Sequence, residues 1–174
     1  MAVRVAINGF GRIGRLAFRQ MFKDPEYEIV AINDLTSPKM LAYLLKYDST
    51  HGKFPGTVEA TETSIKVDGR EITIYKEKDA ANLPWADLKV DVVLECTGFY
   101  TSKEKSMAHI KAGARKVVIS APAGKDLPTI VFNVNHKILK PTDQIISAAS
   151  CTTNCLAPMA KALNDLCPIE SGFM

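Results

Sequence analysis

Two short segments place reactive residue types at chemically useful spacings. In Ala148-Ala149-Ser150-Cys151-Thr152-Thr153-Asn154-Cys155, a cysteine follows a serine where a helix is predicted to begin. Ser150 is a good N-cap, because its side-chain oxygen can accept an orphan backbone N–H. Cys151 then falls in the first turn, where the dipole's positive end and unpaired N–H groups favour a thiolate. A helix terminus supplies only ~0.3–1 kcal/mol in most settings. A fully activated sulfur nucleophile therefore needs a second group, usually a histidine. His51, His109 and His136 have no sequence reason to meet Cys151, and each is read as a surface or capping residue.

The second segment, Gly9-Phe10-Gly11-Arg12-Ile13-Gly14, matches G-x-G-x-x-G. The pattern alone is weak, but here it follows the strand-like run Val3–Ile7 and opens a helix, as a dinucleotide fingerprint requires. Gly9 permits a tight turn, Gly11 lets backbone approach a pyrophosphate, and Gly14 lets helix and strand pack closely. The helix start offers N–H groups and a positive dipole end to the anion. Asp34 lies 34 − 14 = 20 residues beyond the last glycine, at the end of the next predicted strand. A carboxylate there accepts ribose hydroxyls and repels a 2′-phosphate, which favours NAD over NADP. A tight turn and helix cap without a ligand is disfavoured by strand, helix and acid occurring together. Arg12, Arg15 and Arg19 recur at helical spacing and are read as a solvated face rather than a nucleic-acid surface. Arg12 alone is placed to face a pyrophosphate.

The elements that position these segments alternate between strand and helix. Strands are predicted at Val3–Ile7, Glu28–Ile32, Val90–Cys96, Lys116–Ser120, Thr129–Val134 and Gln144–Ala149. Helices are predicted over Gly11–Phe22, Pro38–Lys46, Ser102–Ala112 and Ser150 to about Leu166. Ile13, Leu16, Ala17 and Met21 are taken as the buried face of the first helix. Val58–Ala60, Ser64–Val67 and Ile72–Tyr75 read as an antiparallel set, with Asp68-Gly69 as a hairpin turn. The alternation predicts an α/β fold: a Rossmann-like, doubly wound, mostly parallel sheet with helices on both faces. Residues 1–150 form that domain. Residues 151–174 read as a nucleophile helix and the truncated start of a second domain, since the chain finishes on apolar residues rather than a polar linker.

Composition sets the outer bounds. The 174 residues carry 22 Lys+Arg against 19 Asp+Glu, a net charge of +3 that is too small to argue for nucleic acid. With 47% hydrophobic residues the chain can bury a core, which excludes a disordered tail. No run approaches the ~20 apolar residues of a membrane span, and no signal peptide is visible. Cys96, Cys151, Cys155 and Cys167 fit neither a disulfide framework nor a zinc pattern, so reduced thiols, a cytoplasmic location and no metal are expected. Cys155 shares a face with Cys151 and is read as a small residue packed toward the core.

Together, Asn8 to Arg15, Ile32 to Leu35, Ala149 to Cys155, Lys46 to Gly52, Glu95 to Phe99 and Leu156 to Ala160 closely resemble the phosphorylating glyceraldehyde-3-phosphate dehydrogenase family, of bacterial type. The resemblance runs in register along the whole chain and corresponds to the family's N-terminal, NAD-binding half. It implies that Arg12 and Ile13 lie along the dinucleotide and that Asp34 holds the adenosine ribose. It places Lys78 on the adenine side, Thr97 and Gly98 along the crevice, and Ser120 toward the nicotinamide. Cys151 would be the nucleophile, forming a thiohemiacetal and then a thioester, with Ser150 and Thr152 binding substrate or phosphate beside it. The implied reaction is the glycolytic, NAD-dependent conversion of glyceraldehyde 3-phosphate and inorganic phosphate to 1,3-bisphosphoglycerate, in a homotetramer. The family's base is a histidine shortly beyond Ser171-Gly172-Phe173-Met174, so the 174 residues alone are expected to be inactive. An erythrose-4-phosphate dehydrogenase shares both motifs, and a Rossmann module without catalysis is the rival from another class.

Overall fold

Alternating small and large apolar residues give the central strands two different faces. The computed structural model describes residues 2–173. Its central strands, β1 (Val3–Asn8) and β2 (Tyr27–Asn33), run parallel. Ala6 and Ala31 enter one core layer, Ile7 and Ile32 the other, because successive side chains on a strand point to opposite faces. The isoleucine side is covered by α1 (Arg12–Met21) and α2 (Pro38–Lys46), which contribute Phe18, Leu41 and Leu45. The alanine side packs against Trp85 and α3 (Lys103–Lys111). Small residues on that side leave room for the indole.

The remaining strands are β3 (Val58–Ala60), β4 (Ser64–Val67), β5 (Arg70–Tyr75), β6 (Val92–Glu95), β7 (Lys116–Ile119) and β8 (Ile145–Ser147). The sheet order is β3-β4-β5-β2-β1-β6-β7-β8. Only the β3–β4 and β4–β5 pairings are antiparallel. The Asp68-Gly69 turn between β4 and β5 has φ of 46° and 83°, the double positive φ that a two-residue hairpin turn demands. The fold is thus the expected Rossmann-like α/β sheet, mostly parallel and covered on both faces. From β1 the chain proceeds outward on one side to β2, and later returns to the other side at β6. The carboxyl ends of β1 and β6 part there, and a ligand crevice belongs at such a switch point.

Several local expectations are corrected. The buried face of α1 is Gly14 and Phe18, continued by Phe22 beyond the helix, while Ile13 is 48% exposed. Gly14 carries no side chain to mark the stripe, so the 3.6-residue pattern had two readings. Thr129–Val134 is not a strand: Thr129 makes one bridge to Ser147, and the chain then turns. Asn135 accepts from the Val131 N–H and donates to the Thr129 carbonyl, and His136 Nδ1 accepts from the Asn133 N–H, which satisfies the backbone locally instead of in the sheet. The strand expected over Val90–Cys96 narrows to Val92–Glu95.

Phe18→Ala should lower unfolding free energy by about 3–5 kcal/mol. Ile13→Ala should change it by about 0.5 kcal/mol or less. Urea denaturation compares the two, and equal losses would place the buried face of α1 elsewhere.

Candidate functional site

The crevice at the switch point is a cleft of about 580 Å³. Asn8, Gly9 and Gly11 line it from β1 and its following turn, Asn33, Asp34 and Leu35 from the end of β2, Glu77 and Lys78 beyond β5, and Cys96, Thr97, Phe99 and Tyr100 beyond β6. The volume lies within the range of small-molecule sites. Its rim is apolar at the exposed Leu35 and Phe99 side chains, and its floor is polar at Asn8, Asn33 and Thr97.

The glycine turn is locked by neighbouring backbone. Gly9 has φ +91°, and a Cβ there would meet the Cys96 carbonyl carbon and the Thr97 nitrogen at 2.8 Å. A Cβ on Gly14 would strike the Gly9 carbonyl oxygen. Gly11 is different: nothing lies within 4 Å of where its Cβ would be. That open space, at the N-cap of α1, forms a cradle whose helix-end N–H groups suit an anion such as a diphosphate. Arg12 and Ile13 follow it and are exposed.

Asp34 does two jobs. Its Oδ2 accepts the Phe10 N–H at 2.7 Å and its Oδ1 accepts the Thr36 N–H at 2.8 Å, so the carboxylate ties the glycine turn to the end of β2. Each oxygen retains acceptor capacity for a sugar hydroxyl, and the negative charge opposes a 2′-phosphate. Lys78 lies across the cleft, its carbonyl accepting the Tyr100 hydroxyl at 3.1 Å. Thr97 lines the floor, and Gly98 follows with φ +80°. Ser120 directly follows β7, its N–H bonded to the Glu95 carbonyl at 2.9 Å. The cleft thus brings together Gly9, Gly11, Asp34, Lys78 and Thr97, while Gly98 and Ser120 lie just outside its lining.

The sulfur segment stands apart from this lining. After β8, Ala149 adopts φ +63° and redirects the chain into α4 (Cys151–Leu166). Ser150 Oγ accepts the Thr153 N–H at 3.0 Å, the expected cap, and also bonds the Thr152 and Thr153 hydroxyls. Asn154 Nδ2 donates to the carbonyls of Ala148 and Ser150, stapling the helix start to the strand end. Cys151 is exposed at the first position. It follows the carboxyl end of β8, a strand that lies three places from β1 in the sheet, or about 14 Å at ~4.8 Å per strand, so it shares the sheet's carboxyl edge with the cleft.

Other expectations change here. Cys155 is exposed, not packed, since α4 buries none of its residues. His109 is fully buried rather than at the surface, held by Trp85 and Glu95. His51 bonds Asp48, and His136 caps a turn as expected. Each histidine is thus committed away from the sulfur. Arg15 and Arg19 are half-buried, donating to the carbonyls of Phe10 and of Leu45 and Gly52. Only Arg12 matches the solvated face expected for the three. Burial pulls the Arg15 guanidinium below its ordinary value, with Asp48 opposing. Among the described residues, no three His, Cys, Asp or Glu converge as metal ligands, and no helix is long and apolar enough to cross a membrane.

A sequence-family model described as the NAD binding domain of glyceraldehyde 3-phosphate dehydrogenase matches residues 3–103. The chain belongs to this family. The model of the same family's C-terminal domain matches residues 150–174. Glyceraldehyde-3-phosphate dehydrogenase of Clostridium acetobutylicum is 63% identical over 98% of the chain and 51% of its own length. The Lactobacillus delbrueckii subsp. bulgaricus protein of that name is 59% identical over the whole chain and 53% of its length. That of Streptococcus pyogenes is 56% identical, over 52% of its length. The chain therefore spans about half the length of the glyceraldehyde-3-phosphate dehydrogenases it matches.

NAD, the cofactor of this domain family, fits the residues found: the open space at Gly11, the Asp34 carboxylate and the apolar rim. Sequence reading missed Leu35, Phe99 and Tyr100 as cleft walls, and Asn8 and Asn33 as its floor, with Glu95 buried beneath them. Phe99 was visible inside a family motif, but an exposed aromatic has no periodic signal to give it a role.

Gly11→Ala should weaken NAD binding at least tenfold by calorimetry while changing stability by about 0.5 kcal/mol or less. Gly9→Ala should instead destabilise the fold by about 1–3 kcal/mol, from its positive φ and the collision with Thr97. Loss of stability without loss of affinity in Gly11→Ala would show that the cradle is only packing.

The thiols offer a separate check. Burial pushes the Cys96 thiol from 9.0 up to about 11, with Ser120 hydrogen bonding opposing it and Glu95 adding to it. At pH 8, iodoacetamide should label Cys151, Cys155 and Cys167 in the folded chain, all exposed, and reach Cys96 only on unfolding. Above pH 9 the unfolded thiol loses its proton while the folded one keeps it, so stability falls as pH rises toward 11. Cys96→Ala should flatten that slope in pH-dependent denaturation.

Proposed function

We propose that these residues are the cofactor-binding and nucleophile-bearing part of a phosphorylating, NAD-dependent glyceraldehyde-3-phosphate dehydrogenase. The observation that carries this is the pairing, on one carboxyl edge, of a dinucleotide cleft with a capped helix that presents Cys151 at its first position. Names and identities of the relatives support the substrate.

In this proposal Gly9, Gly11, Arg12, Ile13 and Gly14 hold the diphosphate, and Asp34 the adenosine ribose. Leu35, Lys78, Thr97 and Phe99 line the remaining path, with Gly98 and Ser120 beside it. Bound NAD supplies a hydride acceptor. The Cys151 sulfur attacks the aldehyde carbon to give a thiohemiacetal. Loss of hydride leaves a thioester, and inorganic phosphate displaces the sulfur to release an acyl phosphate. Ser150 and Thr152 bind substrate or phosphate beside the sulfur. The Cys151 N–H, free at the helix start, offers a donor to the oxyanion.

The proton of the thiol needs a base, and none of the described histidines faces it. We assign the base to residues outside these 174, and the working protein to a homotetramer in the cytoplasm. Residues 1–150 are then the cofactor domain and 151–174 the start of the catalytic one.

With glyceraldehyde 3-phosphate and NAD, intact-mass measurement should show an acyl adduct confined to Cys151 and absent from Cys151→Ser. Steady turnover by the 174 residues should lie ~10²–10⁴ below that of a protein with a base facing the sulfur. An adduct on Cys96, or a greater yield with erythrose 4-phosphate, would respectively move the nucleophile or replace the substrate.

A further inference from the structure

The described site leaves unused a set of buried ionisable and polar groups beneath the cleft. Glu95 and His109 are each fully buried. Trp85, the only tryptophan in the chain, is also 0% exposed and donates its indole N–H to His109 Nδ1 at 3.0 Å. An indole nitrogen only donates, so Nδ1 is the acceptor and the ring proton sits on Nε2. Nε2 therefore donates to Glu95 Oε2, at 2.9 Å. The same Oε2 accepts from Asn8 Nδ2. The other carboxylate oxygen accepts both the backbone N–H, at 2.7 Å, and the hydroxyl of Thr97.

Both ends of this chain reach the cleft. Asn8 and Thr97 line it directly. Tyr100 lines it too, and its ring lies 5.3 Å from the His109 ring. The Tyr100 hydroxyl accepts the Ala80 N–H and donates to the Lys78 carbonyl, beside another lining residue. His109 therefore touches the cleft's floor through Glu95 and its wall through Tyr100, without itself reaching a ligand.

We propose that His109 is a positioning residue for dinucleotide binding: it fixes Glu95, and through it Thr97 and Asn8, and couples occupation of the cleft to the buried Trp85 indole. The proposal rests on reading the cleft as the dinucleotide site. It adds that affinity is set by a locked tautomer in the layer below. A histidine that only filled space would be replaceable by any residue of similar volume.

The test is a titration of the ¹⁵N-labelled chain with NAD, followed by NMR. Backbone amides of Thr97, Gly98 and Phe99 report the cleft, and the single indole N–H reports Trp85. The expected result is that both sets shift with one dissociation constant. In His109→Gln, which keeps an acceptor and a donor, NAD affinity should stay within ~3-fold. In His109→Leu, which keeps neither, it should fall about tenfold or more, equivalent to ~1.4 kcal/mol. In that variant the loop amides should still titrate while the indole stays still. Moving amides with a stationary wild-type indole would overturn the coupling and leave the cleft assignment standing. Stationary amides and indole would overturn both. Equal affinity in His109→Leu and wild type would show His109 to be core packing alone. The wild-type titration decides the coupling even where His109→Leu fails to fold.

Discussion

A carboxylate taken out of water must be fully paired, and Glu95 meets that condition at the point where the sheet opens. Its four donors come from the end of β1, from α3 and from the turn after β6. An unpaired buried charge costs several kcal/mol, so these three pieces cannot drift apart separately. The crevice at the strand ends is thus held open by a polar tie as well as by the apolar layers on either side. Asn8 extends the tie sideways, its Oδ1 accepting from Asn33 Nδ2 at 2.7 Å. Asn33 in turn bonds the Glu77 backbone on both sides. From Glu77 to Thr97, the floor is one hydrogen-bonded surface.

The glycine turn depends on that floor. Gly9 N–H bonds the Asn33 carbonyl, and Cys96 N–H bonds the Asn8 carbonyl, each continuing the ladder one residue past its strand. Asp34 then anchors Phe10 from outside. The turn proposed to cradle a diphosphate is therefore shaped by the protein's own bonds, and pre-organisation of this kind lowers the entropic cost of binding. In the proposed site, dinucleotide selectivity and loop rigidity share one side chain, because the carboxylate assigned to the ribose also pins the turn.

Legibility in the sequence followed the range of the interactions. The Asp68-Gly69 hairpin, the Ser150 cap and the glycine turn are written in residues a few positions apart, and all three could be read directly. The parallel sheet could be read too, because strand and helix alternate regularly. The α1 face was misread, because Gly14 makes its contact through lacking a side chain. Thr129–Val134 was misread because β-branched residues were outweighed by Asn135 and His136, whose side chains satisfy the backbone in a turn. The Glu95 tie was invisible: Asn8 lies 87 residues from Glu95 in the chain, and polar pairs of that kind leave no periodic trace. His109 looked like an ordinary polar residue on a helix. Only the three-dimensional packing shows that its helix turns it inward onto Trp85.

The two ends of the site are held to different standards. At the cofactor end, buried bonds fix each lining strand. At the sulfur end, α4 buries no residue of its own and is joined to the sheet by the Ala149 turn and the two Asn154 bonds. Leu156, Met159, Leu163 and Leu166 form an exposed apolar stripe along it at three- and four-residue spacing. A stripe of that kind belongs against another element. Attack on a carbonyl needs reacting atoms aligned within fractions of an ångström. A helix pinned only at its first turn controls where Cys151 begins but not how its axis points. In the proposed enzyme, whatever covers the stripe must therefore supply the angular precision of the sulfur. The residues described here shape the cleft and bring the thiol to the same edge.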